Sequence, residues 1–91
     1  MFLLDEETED CVGQPYEHSG PCVLFLSGLG GGSTVTIEVA PTNEPDAFVP
    51  LSRVQMSHPQ HETVNLPGRY WLRCRLRGAT ALTKVTVQTN Q

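Results

Sequence analysis

Charge is scarce in this chain and unevenly placed. Asp, Glu, Lys and Arg make up 18% of its 91 residues, against about 25% in ordinary soluble domains. Lysine occurs once, beside five arginines. No apolar run approaches the ~20 residues that a membrane-spanning helix needs, so no membrane partner is expected. The opening MFLLDEETED has a short apolar segment followed by acids. It lacks the basic start and longer apolar stretch of a secretory signal. The three cysteines, Cys11, Cys22 and Cys74, are odd in number and have no metal-type spacing. They read as reduced thiols of a protein made in a cytoplasm, Cys22 and Cys74 acting as small hydrophobes in strand-like runs. A Cys22–Cys74 bridge stays open, because sequence alone does not give the geometry. Helical periodicity longer than a turn or two is also missing.

What is present is β-pattern punctuated by turns. Eight glycines and seven prolines favour short strands over helices. The run PCVLFLSG (21–28) is continuously apolar and suits a strand buried on both faces. GLGGGS (28–33) is a tight connection. TVTIEVA (34–40) alternates, with Val35, Ile37 and Val39 inward and Thr34, Thr36 and Glu38 outward. PTNEPD (41–46) is turn chemistry. AFVPL (47–51) is a short strand that Pro50 ends or confines to an edge, and SRVQMS (52–57) alternates weakly. HETVNLPG (61–68) is another short strand, ending at Pro67–Gly68. ALTKVTVQTN (81–90) closes the chain with Val85 and Val87 inward. Leu82 is out of register with them, which predicts a bulge or a later start. Turn signals every 8–12 residues or so predict an all-β fold: a small antiparallel β-sandwich or jelly-roll-like barrel of six to seven short strands. Residues 1–20 read as an extended acidic N-terminal arm, and 21–91 as the β-domain. A core of this size is marginal, netting only a few kcal/mol, so docking or oligomerisation would help it.

The most informative stretch is GRYWLRCRLRG (68–78). As a strand it sets Tyr70, Leu72, Cys74 and Leu76 on one face and Trp71, Arg73, Arg75 and Arg77 on the other. Arginine suits bidentate pairing and stacking, and Trp beside Arg is enriched in binding hot spots. The net charge is −4, yet DEETED (5–10) holds five of the ten acids, namely Asp5, Glu6, Glu7, Glu9 and Asp10. The remainder carries five acids against six bases. Candidate contact residues are therefore those five acids together with Trp71, Arg73, Arg75 and Arg77. An acidic partner surface complements the arginine face, as would the acidic arm of a neighbouring copy.

Other chemistries have weaker support. GLGGGS lacks the following helix and the lysine of a phosphate-binding loop. His58, His61 and Glu62 in HPQHE, even with His18, lack a second clustered ligand pair, so no metal and no cofactor are expected. No serine or histidine sits in a nucleophile-elbow context, and the paired acids lie only in the arm, which argues against an enzyme. The bases sit almost wholly on one strand of an acidic chain, which argues against nucleic acid.

The order GGGSTVTIEVAPTNEPDAFVPL then LPGRYWLRCRLRGATALTKVTVQ resembles the small all-β auxiliary proteins of tailed-bacteriophage virions, the head decoration or cement proteins. The likeness covers about residues 20–90. It implies a virion structural protein on the outer capsid surface, made in the host cytoplasm. Its partner would be the major capsid protein, its form a dimer or trimer, and its extended terminus would reinforce subunit joints. Two rival expectations are a neck, tail or fibre-associated β-domain, and a sugar- or receptor-binding module stacking a ring on Trp71 and Tyr16.

Overall fold

In the computed structural model, which describes residues 1–89, the chain is all-β, with seven strands in one antiparallel sheet. They are β1 (Phe2–Glu7), β2 (Cys11–Val12), β3 (Tyr16–Leu29), β4 (Thr34–Ala40), β5 (Val49–Gln55), β6 (Gln60–Arg77) and β7 (Lys84–Thr89), and a single 3₁₀ turn, Pro45–Ala47, precedes β5. The sheet runs β1-β7-β3-β6-β4-β5, with the short β2 on β6. β3 and β6 are long because each serves two sets of neighbours. The second half of β3 pairs with both β7 and the start of β6, whereas the second half of β6 pairs with β4 and β2.

Alternation decides what is buried. Val35 and Ile37 of β4, Leu72, Cys74 and Leu76 of β6, and Val85 and Val87 of β7 are buried, each at most 2% exposed. With Leu24 and Leu26 of β3 they join one hydrophobic cluster fed from nearly every strand, so one face of the sheet turns inward along its width. Each such aliphatic side chain contributes about 1.5–3 kcal/mol on burial. The inward valines of β4 and β7 are where the alternation put them, except that Val39 is only half-buried. β7 does begin after Leu82, at Lys84.

Four expectations are corrected. Residues 1–20 are not an extended arm: β1 pairs with β7, β2 with β6, and residues 16–20 belong to β3. Leu3 and Leu4 are both about 2% exposed. Two consecutive residues face inward because the β1–β7 register slips between Phe2 and Leu4, and a bulge brings neighbours onto the same side. Secondly, the 21–28 run is not buried on both faces, since Phe25 is half exposed. Thirdly, Pro67–Gly68 ends no strand. Ser19 pairs with Arg69 and Gly20 with Leu66, so Pro67 and Gly68 fall in a two-residue bulge where proline's missing N–H costs no ladder bond. Fourthly, AFVPL and SRVQMS are not separate strands. β5 is continuous from Val49, at one edge of the sheet as Pro50 suggested, with a register shift opposite Ile37–Glu38 absorbing the proline.

The loops before β4 and β7 clasp each other. Thr80 Oγ1 donates to the Gly31 carbonyl at 3.2 Å and Thr83 Oγ1 to the Gly30 carbonyl at 3.1 Å. Gly31 sits at φ +60°, where an added Cβ would lie 2.6 Å from Thr83 Oγ1. GLGGGS is therefore a structural connection that only glycine can make this tight.

Candidate functional site

The outer face of β5-β4-β6 is ordered in rows by the register. Glu38 stands opposite Arg73, Thr36 opposite Arg75, and Thr34 opposite Arg77. On the other side of β4, Arg53 stands opposite Thr36 and Gln55 opposite Thr34. Directly opposed residues of an antiparallel pair point to the same face. Glu38 is thus flanked by arginines that the sequence places 35 and 37 positions away.

Those arginines take both its oxygens. Arg73 Nε donates to Glu38 Oε1 at 2.6 Å, and Arg75 Nε to Oε2 at 3.2 Å. The 41–48 connection folds over the pair. The Arg73 guanidinium lies 4.0 Å from the centroid of the Phe48 ring, and its Nη2 donates to the Pro45 carbonyl at 3.5 Å. Arg73 keeps 11% of its side-chain surface, Arg75 28% and Glu38 8%. Burial by itself would raise the Glu38 pKa. The hydrogen bonds and charges of Arg73 and then Arg75 outweigh it and hold the carboxyl below its ordinary value.

The arginine face therefore divides. Arg73 is committed to its own sheet through Glu38, Phe48 and Pro45. Arg75 is shared between Glu38 and a groove, and Arg77 is exposed. Sequence reasoning missed Arg53, which β5 brings into the same groove. Thr34, Thr36, Glu38, Pro50, Arg53, Arg75 and Arg77 line this groove, a shallow space of about 560 Å³. Among the described residues Arg53 and Arg77 form no ion pair. Trp71, opposite Ala40 and Glu17, is half-buried at the far end of the face. A lone acid in the middle of the Thr/Val strand 34–40 was the available signal for a cross-strand cation.

The five acids of 5–10 do not act as one patch. Asp5 and Glu9 are exposed. Glu6 approaches Lys84 at 3.6 Å, both mostly solvated, which is worth less than about 1 kcal/mol. Glu7 lies beside Cys11. Asp10 Oδ1 accepts from the Ala79 N–H at 2.8 Å, tying the 8–10 turn to the loop after β6.

The remaining candidates are separated. Tyr16 stands opposite Leu72 and packs on the core, on the face away from Trp71, so the two rings form no common platform for a sugar. His61 and Glu62 are consecutive in β6 and point to opposite faces, and His58 accompanies Ser57 at 2.9 Å. Among the described residues no three His, Cys, Asp or Glu come together as metal ligands, and no helix is long and apolar enough to cross a membrane. Cys11, Cys22 and Cys74 are free thiols. No family model, curated protein or solved structure matches the chain.

Proposed function

We propose that this chain is a non-enzymatic structural protein of a tailed-phage virion, which decorates and stabilises the capsid by docking on the major capsid protein. The resemblance in its strand and turn order suggests the setting. The observation that carries the docking reading is the open half of the arginine face, where Arg53, Arg75 and Arg77 share one groove on a chain of net charge −4. Arg53 and Arg77, which form no ion pair among the described residues, fit an acidic partner surface, and complementary charge sets orientation and on-rate. The continuous strands β3 and β6, each serving two sets of neighbours around one core, fit a curled β-sandwich or jelly-roll-like domain. The outer side of β5, at one end of the sheet, offers a surface for a homodimer or homotrimer. The built-in β1 takes the bridging role away from a free terminus and leaves it to the sheet face.

The test is stoichiometry together with a charge reversal. The chain, quantified by mass spectrometry in virions of its source phage against the major capsid protein, is expected at decoration-protein abundance. Arg53→Glu/Arg77→Glu is expected to lower its recovery on particles, with binding more sensitive to salt. A handful of copies per particle would move it to the neck or tail, and absence from virions would overturn the reading.

A further inference from the structure

Glu38 is an internal example of how this face holds a carboxylate: each oxygen receives an Nε–H from a different arginine, at 2.6 and 3.2 Å. Both of those arginines come from β6, and beyond Glu38 the face carries further arginines with no acid between them, now from β5 as well as β6. One row is Arg53–Thr36–Arg75, flanked by arginine on both sides, and the next is Gln55–Thr34–Arg77, with arginine on one side only. Rows on one face of a sheet lie about 6.4–6.8 Å apart, two residues of strand rise. The same distance separates every second side chain of any extended peptide. Arg53 and Arg75 are two strands apart, about 10 Å between their backbones, with the short, buried Thr36 between them at the bottom of the shallow groove that the two cations flank.

We propose that the groove over Thr34 and Thr36 is the receptor for an extended acidic segment of the partner protein, with carboxylates at every second residue. One is held between Arg53 and Arg75, and the next by Arg77. The segment's backbone runs along the strands, and the Thr34 and Thr36 side chains form the floor beneath it. Glu38 closes one end, since both its oxygens are occupied and its charge rejects a further acid there. Asp10 lines an adjoining groove with Arg75 and Arg77. Its Oδ1 is held by the Ala79 N–H, and among the described residues it forms no ion pair with either arginine. A segment with adjacent acids would send every second carboxylate away from the groove, because successive side chains of an extended chain alternate. The groove thus reads spacing as well as charge. The inference rests on the docking reading but not on the virion setting.

The experiment titrates the intact protein, at low salt, with an end-blocked hexapeptide of alternating Asp and Thr, following the arginine Nε–H resonances by NMR. A block isomer of the same composition, inorganic phosphate and a short oligothymidylate are titrated alongside. The alternating peptide is expected to shift Arg53, Arg75 and Arg77 while leaving Arg73 in place, and to bind several-fold more tightly than the block isomer. Arg53→Gln/Arg77→Gln is expected to weaken it about tenfold or more with the amide spectrum of the core unchanged, since among the described residues neither side chain forms an ion pair. Equal binding of the two isomers, undiminished binding by the double variant, or response to phosphate or oligothymidylate without the peptide would each overturn the proposal. A chain found in virions whose Gln variant still docks would overturn the groove and leave the virion reading standing. A chain that reads the peptide but is missing from virions would do the reverse.

Discussion

Glu38 and Arg73 stand directly opposite each other in the β4–β6 ladder and close to 2.6 Å beneath the Phe48 ring. Both side chains are nearly out of water, and an opposed pair in that position is costly to break from one side. The acid on which the arginine strand first depends is in its own chain.

Replacing Glu38 by Gln leaves Arg73 covered and without its counter-charge. Loss of one partner from a fully buried pair costs about 3–5 kcal/mol. The partial exposure of Arg75 lets water share the load, so a loss of about 2–3 kcal/mol is expected from urea unfolding midpoints. Glu38→Met/Arg73→Met should recover much of it, because an apolar pair leaves no charge stranded.

Acid should act through the same carboxyl. The Glu38 pKa is lowered in the folded state from its ordinary 4.5, so its contribution is fully present above that ordinary value and is lost as pH falls through the folded one. Wild-type stability should therefore decline on the acid side of about pH 4.5 more steeply than that of Glu38→Gln, the two curves converging at low pH. Parallel curves from urea titrations across that range would refute the linkage.

Trimming β1 separates a structural strand from a free terminus. Leu4→Ala removes a buried side chain and should cost about 2–4 kcal/mol. Deleting residues 1–8 uncovers the β7 edge and the core above it, and should abolish cooperative thermal unfolding. A free arm would lose neither.

Thiol labelling reports the interior. Burial, then the charge of Glu38 and the proximity of Cys22, push the Cys74 thiol up to about 12, and burial raises that of Cys22. Cys11 is raised by burial and then by Glu7, Asp10 and Glu9. Since thiolate is the nucleophile, iodoacetamide at mildly alkaline pH should leave Cys22 and Cys74 unmodified in the native protein and reach Cys11 slowly. All three should react once it is unfolded. Mass spectrometry reads the number of adducts, and rapid native labelling of Cys74 would contradict its placement.

Much of the sheet could be read from alternation. Val35 and Ile37, Val85 and Val87, and the Leu72–Cys74–Leu76 series against Trp71–Arg73–Arg75–Arg77 all lie on the faces their spacing assigns. The candidate site was legible only by half. The arginines were found on the correct strand, but Arg53 lies on another, and the roles of Glu38 and Phe48 depend on which strands become neighbours. Pro67–Gly68 read as a stop and Leu3–Leu4 as part of an arm, because a bulge is specified by the strand opposite.

By itself the sequence determined the all-β class, the inward valines and leucines, and an arginine row on the opposite face of one strand. These follow from the two-residue period of an extended backbone, which each strand carries locally. Only the tertiary structure decided that Arg73 turns to Glu38 while Arg77 joins Arg53 over an open groove. Those outcomes depend on strand order and register, set by the packing of one core between residues far apart in the chain, where a shift of a single position would turn every side chain to the other face.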